Sequence, residues 1–515
     1  MEILVFGIST YLIEVYFAMA ILCLLFVLIS LNFSIIKKNF RGIKKEVWIL
    51  VLLVLVGAIL LRTLLPVCDS KDSLIWFHAS LGEDILKGNS LTFAHSTQPY
   101  GYPLILAIIY YFLGAGYMPL IILNILLSSL TAVIVFLITY QITKDVKASV
   151  FSMIFLAMFP MAVFFSQFGA TEVTSIFFVS LTLLFFTLAI EIKSTKMFIL
   201  VAFSMAFACY VRLENFFIFS AVILFSYAVL SHSRRDFKKI IIPALIFIAL
   251  LPPVFYLVSS GPKTFGPYPE QVPQDFNWEY YKEPFSVKYL PENISLLTEK
   301  FSNPLRYPIL LYPFVLLSII YLLKWPKTIV PLLWLIFSVL FFGRFWALRF
   351  VNPELYLSSI QPAISVLYGI GVMAVYYFLD NKLMAGRKIL KYAVLSVFVL
   401  LTISVPALVL SKIDYDSNCF TKDIYNAGNI LNGCIIAETT NGVSDLTKVV
   451  KFILPNKEIL NDTKFCNEGY LITVIDPRFR GIFGEVSNKT VLDGCLTQNL
   501  TENFRGVDIY KFSCG

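Results

Sequence analysis

Long apolar runs separated by short basic loops occupy residues 10–410, and a polar stretch follows them. Crossing a hydrocarbon layer about 30 Å thick takes about 20 helical residues at about 1.5 Å of rise each. Runs of that order stand at 10–35, 47–65, 118–142, 148–166, 172–191, 197–212, 214–231, 240–258, 305–323, 327–343, 356–379 and 390–410. They predict about twelve membrane-spanning helices. Residues 104–114 are apolar but too short to cross, and a crossing there would put the Lys144 loop on the wrong side. The stretch 102–114 is therefore expected to be a helix lying on the outer membrane surface, with Pro103 in its first turn. Residues 1–35 show neither a basic lead-in nor a small-residue cleavage signature, so they are expected to form a first helix with its N-terminus outside.

The basic loops set the orientation. Lys37, Lys38, Arg41, Lys44 and Lys45, then Lys144 and Lys147, Lys193 and Lys196, Arg234, Arg235, Lys238 and Lys239, Lys324 and Lys327, and Lys382, Arg387, Lys388 and Lys391 all fall on one side of this arrangement. Positive charge concentrates in cytoplasmic loops. The opposite loops are then extracytoplasmic: 66–117, 166–172, 259–304, 343–355 and everything after 410.

Beyond Leu410 the pattern changes. Short alternating runs such as Gly433-Cys434-Ile435-Ile436-Ala437 and Tyr470-Leu471-Ile472-Thr473-Val474-Ile475 read as strands, and 420–431 and 443–453 read as helices. Two domains are expected: a transmembrane domain over 1–410, with a first outer loop at 66–117 and a large one at 259–304, and an extracytoplasmic α/β domain over 411–515. Cys68, Cys419, Cys434, Cys466, Cys495 and Cys514 all lie on the outer side, and so do the Asn-x-Ser/Thr sequons at Asn293, Asn461, Asn488 and Asn499. Six outer cysteines are enough for three bridges, whose pairing spacing does not fix.

Composition agrees. Of 515 residues 58% are hydrophobic and 14% charged, and the mean hydropathy is +0.79, which excludes a soluble domain with a polar surface. The net charge of +8 is taken up by the inner loops and needs no nucleic acid to explain it. There is no P-loop, Cys-x-x-Cys, Gly-x-Ser-x-Gly or His-Glu-x-x-His sequence, hence no motif for an ATPase, a redox enzyme, a serine hydrolase or a zincin.

The candidate chemistry gathers on the outer side. Asp69 and Asp72 open the first outer loop, Glu172 follows the turn Phe168-Gly169-Ala170-Thr171, Arg212 and Glu214 flank a turn between two helices, and Arg344 and Arg349 follow residue 343. A partly desolvated carboxylate can accept a proton, and arginines can hold a phosphate. Each residue also has a plainer role: Glu172 as a helix cap, Arg212 with Glu214 as a structural ion pair. His78 and His95 stand near acids without a known metal-ligand spacing, so the sequence names no cofactor and leaves a divalent metal open. The aromatic stretch 265–289 suits either sugar stacking or an interfacial belt.

An Asp near the end of a spanning run, an amphipathic segment ending Ile85-Leu86-Lys87-Gly88, and Pro99-Tyr100-Gly101-Tyr102-Pro103 ahead of Leu-rich sequence resemble the first outer loop of GT-C glycosyltransferases. The similarity is closest to the branch of dolichyl-phosphate-mannose protein mannosyltransferases and bacterial aminoarabinose transferases. It continues through Asn124, Phe159-Pro160, Glu172, Val211-Arg212-Leu213-Glu214 and Tyr356-Leu357-Ser358-Ser359-Ile360-Gln361-Pro362. The resemblance implies a polytopic helical enzyme that takes a sugar from a polyprenyl (dolichyl) phosphate lipid and delivers it, with inversion, to a glycan, lipid or protein acceptor outside the membrane. It implies a catalytic base at Asp72, which Trp76 follows as an aromatic follows the family's acid, with Asp69 as the alternative because Ser73 replaces the family's Glu. Arg212 occupies the place of a phosphate-binding basic residue, Leu355 breaks the family's basic-aromatic pair near Arg349, and Tyr100, Tyr102, His78 and His95 are expected to line the substrate pocket. The Lys-, Ile- and Asn-rich chain suits an archaeal source. An oligosaccharyltransferase or polymerase would share this architecture. A transporter would place its ionisable groups at mid-membrane, whereas these sit at helix ends.

Overall fold

The computed structural model describes residues 4–5, 8–65, 74–88, 99–167, 171–231, 234–253, 286–304, 307–322, 324–344, 358–382 and 388–412, and the strand segments 434–436, 459–460, 468–474, 495–499 and 507–514. Among them the first eleven α-helices are α1 (Thr10–Asn39), α2 (Lys45–Leu64), α3 (Leu74–Lys87), α4 (Gly101–Leu113), α5 (Tyr117–Thr143), α6 (Val146–Met158), α7 (Pro160–Ser166), α8 (Thr171–Ile192), α9 (Thr195–Val211), α10 (Glu214–Leu230) and α11 (Arg234–Leu250). Further helices run over Leu290–Phe301, Tyr312–Leu317, Ile329–Gly343, Gln361–Lys382 and Lys388–Lys412.

Seven helical stretches among the described residues are long and apolar enough to cross a membrane: Ile13–Asn39, Lys45–Leu64, Tyr117–Thr143, Thr171–Ile192, Pro326–Gly343, Ser358–Asn381 and Ile389–Ser411. The other expected spans are shorter or broken. The run 148–166 divides at Phe159, whose extended backbone (φ −61°, ψ 117°) ends α6 so that Pro160 can open α7. Proline disfavours a helical residue before it and has no N–H to lose at a first helical position. α9 and α10 have 17 residues each. α11 begins at Arg234, six residues ahead of the expected 240, and the run 305–323 is built largely of 3-10 turns at Ile309–Leu311 and Ser318–Leu322 around the short helix Tyr312–Leu317.

Local chemistry sets the turns at the predicted inner end. α5 and α8 close on Lys144 and Lys193 in left-handed backbone (φ 55° and 54°), whose N–H groups donate to Tyr140 O at 2.7 Å and Ala189 O at 2.8 Å. Asp145 then caps α6, its side chain accepting from the N–H of Lys147 at 2.8 Å and of Ala148 at 3.4 Å.

The core lies between α5, α6, α8, α9 and the helix Gln361–Lys382. Phe155 and Tyr368 stack with ring centres 4.2 Å apart. Gly371 lies so close to the main chain of Phe314 that a β-carbon would fall 1.6 Å from its carbonyl oxygen. By contrast α1 and α2 present large apolar side chains outward, among them Leu31, Phe26, Leu53 and Leu52, as helices facing lipid do. α4 buries Tyr102, Pro103, Leu104 and Leu106 and exposes Tyr111 and Phe112 at its far end. The sequence expectation of a helix over 102–114 is thus displaced by one residue.

The polar stretch contributes a five-stranded mixed sheet. Its strands are β3 (Cys434–Ile436), β4 (Ile459–Leu460), β5 (Glu468–Val474), β6 (Cys495–Asn499) and β7 (Val507–Cys514), in the order β4-β3-β5-β7-β6; β1 (Leu4–Val5) and β2 (Ile8–Ser9) pair separately at the N-terminus. β3 runs parallel to β4 and β5, and β7 antiparallel to β5 and β6. The β6–β7 register sets Cys495 opposite Cys514. The helices expected at 420–431 and 443–453 lie outside the described residues.

Candidate active site

Three sequence stretches meet at the predicted outer end of the bundle. α9 and α10 are antiparallel neighbours joined only by Arg212 and Leu213, so the turn must carry its polar side chains at the bundle's rim. Arg212, extended at φ −149° and ψ 124°, terminates α9, and Glu214 opens α10. Glu172 stands in the first turn of α8. An acid beside a helix N-terminus and a cation beside a C-terminus each complement the helix dipole.

The Arg212 guanidinium donates to both acids, from Nη1 to Glu172 Oε1 and from Nε to Glu214 Oε1. The arginine side chain is 14% exposed, Glu172 10% and Glu214 22%. Two carboxylates on one guanidinium leave the cluster with a formal charge of −1, and Glu214 is the wetter partner. Asn215 fixes the turn from below, its Nδ2 donating to Ser175 Oγ and to Ala208 O, both at 2.8 Å. The ion-pair reading of Arg212 and Glu214 is therefore present in the structure, with Glu172 added to it.

The described helices on either side of residues 66–73, α2 and α3, are each anchored by buried contacts. Asp69 and Asp72 lie outside the described residues, but α2 before them and α3 after them are described. Gln167 Nε2 donates to Leu65 O at 2.7 Å and also to Arg62 O, pinning the end of α2 from which the loop departs. The Arg62 side chain is fully buried: Nε donates to Ser128 Oγ at 3.1 Å and Nη1 to Ala157 O at 2.9 Å and Ala58 O at 3.2 Å. Ser128 also lines a cavity of about 20 Å³, room for one water, together with Thr131, Val173, Ile176 and Gln361.

On the other side of the loop, His78 is buried against Tyr102 in an edge contact with ring centres 5.6 Å apart. Burial pushes the Tyr102 hydroxyl above its ordinary range, against a hydrogen bond with Asn124 that pulls it down. Tyr100 is buried too, and its N–H donates to Glu14 Oε1 at 3.0 Å. Gly101 abuts Tyr210, two residues before Arg212.

The expected site residues thus divide. Glu172, Arg212 and Glu214 form one cluster, while His78, Tyr100 and Tyr102 form a second, packed on the main chain that leads to Arg212. Arg344 ends the helix Ile329–Gly343 with an exposed side chain, its carbonyl accepting from Ser286 N–H at 3.0 Å, and among the described residues no ion pair joins it to the Arg212 cluster. His95 and Arg349 lie outside the described residues. Among the described residues no three His, Cys, Asp or Glu side chains gather in a way that would hold a metal ion.

Glu14, Arg62 and Gln167 are not among the residues singled out in the sequence. The first two carried a signal, an ionisable residue inside an apolar run, and such residues mark functional or structural sites by default.

Residues 97–257 match the family model of dolichyl-phosphate-mannose-protein mannosyltransferases. That segment contains Tyr100, Tyr102, Glu172, Arg212 and Glu214 and stops short of Asp69 and Asp72. No curated protein matches the chain by sequence. Among solved structures, ArnT from Cupriavidus metallidurans bound to undecaprenyl phosphate superposes with a TM-score of 0.57 at 12% identity, covering 91% of this chain and 98% of that one. The apo Archaeoglobus fulgidus oligosaccharyltransferase gives 0.53 at 11% identity, over 84% of this chain and 70% of that one. The fold is that of these membrane glycosyltransferases, and the resemblance read from the sequence motifs stands.

Proposed function

We propose that this chain is an integral-membrane glycosyltransferase that moves a sugar from a polyprenyl-phosphate carrier to an acceptor at the extracytoplasmic face. The observation that carries the reading is a coincidence of two findings. The segment matching the mannosyltransferase family model is the segment that builds the Glu172–Arg212–Glu214 cluster, and the chain as a whole has the ArnT fold.

The reaction is one displacement. The acceptor oxygen attacks the anomeric carbon, the bond from that carbon to the phosphate oxygen breaks, and the lipid phosphate leaves with the electron pair. Asp72, with Asp69 as the alternative, takes the acceptor's proton. Arg212 answers the charge that grows on the leaving phosphate. Because it already carries two carboxylates, the phosphate takes the place of the wetter one, Glu214, while Glu172 keeps the guanidinium aimed. The lipid enters by a lateral groove between helices, and the domain after residue 410 faces the acceptor side.

The test is turnover of a panel of polyprenyl-phosphate sugars by the purified protein in native lipid, with Asp72→Asn and Asp69→Asn as comparisons. Loss of turnover in one variant with lipid binding kept names the base. A wild-type protein that turns over nothing on the panel overturns the reading and promotes a transporter. The panel includes lipid-linked oligosaccharides, because the fold is shared with an oligosaccharyltransferase; transfer of whole chains alone would move the assignment to that reaction.

A further inference from the structure

α1 carries a buried carboxyl group, one oxygen of which has a hydrogen-bond partner among the described residues. Glu14 is fully buried; Oε1 accepts from Tyr100 N–H at 3.0 Å, and Oε2 has no hydrogen-bond partner among the described residues. An ionisable side chain buried in an apolar bundle is strongly unfavourable unless something beside it requires the group.

What stands beside it is the start of α4. The first N–H groups of a helix have no partner within the helix, and α4 begins without a side-chain cap of its own. Glu14 supplies that acceptor from a different helix, 86 residues away in the chain. The two residues that follow make the contacts that matter at the site. Gly101 rests on the carbonyl of Tyr210, and Tyr102 meets His78 on α3. Holding Tyr100 therefore fixes the pair α3 and α4, both within the stretch 66–117, against the end of α9 that presents Arg212.

We propose that Glu14 is a positioning residue: through the Tyr100 amide it sets where the α3–α4 pair sits relative to the Arg212 cluster. Its effect on turnover rests on the glycosyltransferase reading, whereas its hold on α4 does not. Loss of the hold lets reacting groups drift from their geometry, which lowers the chemical step without loosening the donor lipid.

Three variants decide the matter: Glu14→Gln, whose amide oxygen can accept the same hydrogen bond, Glu14→Ala, which cannot, and Leu22→Ala, a cavity at a buried position of the same helix. Two quantities are measured in lipid nanodiscs, amide hydrogen exchange over 99–104 and kcat and KM for the polyprenyl-phosphate sugar. Glu14→Ala is expected to raise exchange at Tyr100 and lower kcat by about tenfold each, with donor KM within about twofold, the size of one lost hydrogen bond to a charged or buried group. Glu14→Gln stays near wild type in both, and Leu22→Ala lowers Tm while leaving both in place. The proposal falls if Glu14→Ala leaves the exchange unchanged, if Glu14→Gln is as impaired as Glu14→Ala, or if Leu22→Ala gives the same pattern. Should the wild type turn over no donor, the functional reading fails by that result, and the exchange arm alone then judges the hold.

Discussion

Gly101 and Tyr210 touch through their main chains: a β-carbon on Gly101 would stand 2.5 Å from the Tyr210 carbonyl oxygen and 2.9 Å from the nitrogen of Val211. No backbone can yield that much without moving α4 away from α9. Gly101→Ala is therefore expected to cost about 1–3 kcal/mol, the range of overpacked cores, and to reduce transfer more than it reduces thermal stability. Thermal unfolding in nanodiscs measured beside donor turnover checks this; equal losses in the two would mean that the contact serves folding alone.

The Arg212 cluster gives a graded set. Removing the guanidinium in Arg212→Ala leaves two mostly buried carboxylates without their cation, expected to destabilise by about 2–3 kcal/mol after allowance for partial exposure and to lower turnover by 100-fold or more. Glu172→Gln frees the aimed side of the arginine and is expected to come next. Glu214→Gln is expected to be the mildest, with a tighter donor KM, because the phosphate no longer competes with that carboxylate. Donor KM and Tm across the three variants decide the order, and a weaker donor KM in Glu214→Gln would refute the exchange of partners.

Arg62 makes a different kind of prediction. Its side chain satisfies two carbonyls and a serine hydroxyl in the interior. Arg62→Ala removes the buried donor of Ala157 O and opens a cavity, while Ser128 Oγ keeps its bond to Ala162 O; the loss is expected to reach about 2–5 kcal/mol. Arg62→Met keeps most of the volume and no charge, and is expected to recover at least half of that. Urea titration or thermal melts of the two variants in one detergent give the comparison.

The sheet register yields a covalent prediction. Cys495 and Cys514 pair directly across β6 and β7, and directly opposed antiparallel residues have Cα atoms about 4.5–5.5 Å apart, inside the range a disulfide spans. Peptide mapping without reduction is expected to recover the 495–514 link. Recovery of both cysteines as free thiols from protein made in an oxidising compartment would refute it.

The three members of the cluster are legible in sequence as charges at run boundaries, though not as one cluster. Glu172, Arg212 and Glu214 each interrupt long apolar stretches at a predicted outer turn, and the chain has few reasons to place charge there other than pairing. Glu14 and Arg62 escaped because a hydropathy window averages a single charge into the run around it. Their partners are also unmarked in sequence: an amide, two carbonyls and a serine hydroxyl look like any other. The split of the run 148–166 was visible in Phe159-Pro160, yet total length argued for one span and obscured the break. Pairing across the final sheet was beyond reach, since strands of two to eight residues carry little register information of their own.

α8 is gripped at both ends. Glu172 in its first turn shares Arg212, and Glu191 in its last turn meets Lys327 and, at 3.7 Å, Lys144. Glu172 and Glu191 are 19 residues apart on this helix, which sets the clasps about 28 Å apart along its axis. A slide of one helical turn, about 5.4 Å, would have to break both clasps together, so α8 behaves as a bolt through the bundle. On the proposed function a lipid tail would pass α10 and α11, which expose Leu224, Phe225, Ile242 and Leu245, and α8 would stay in place as it enters.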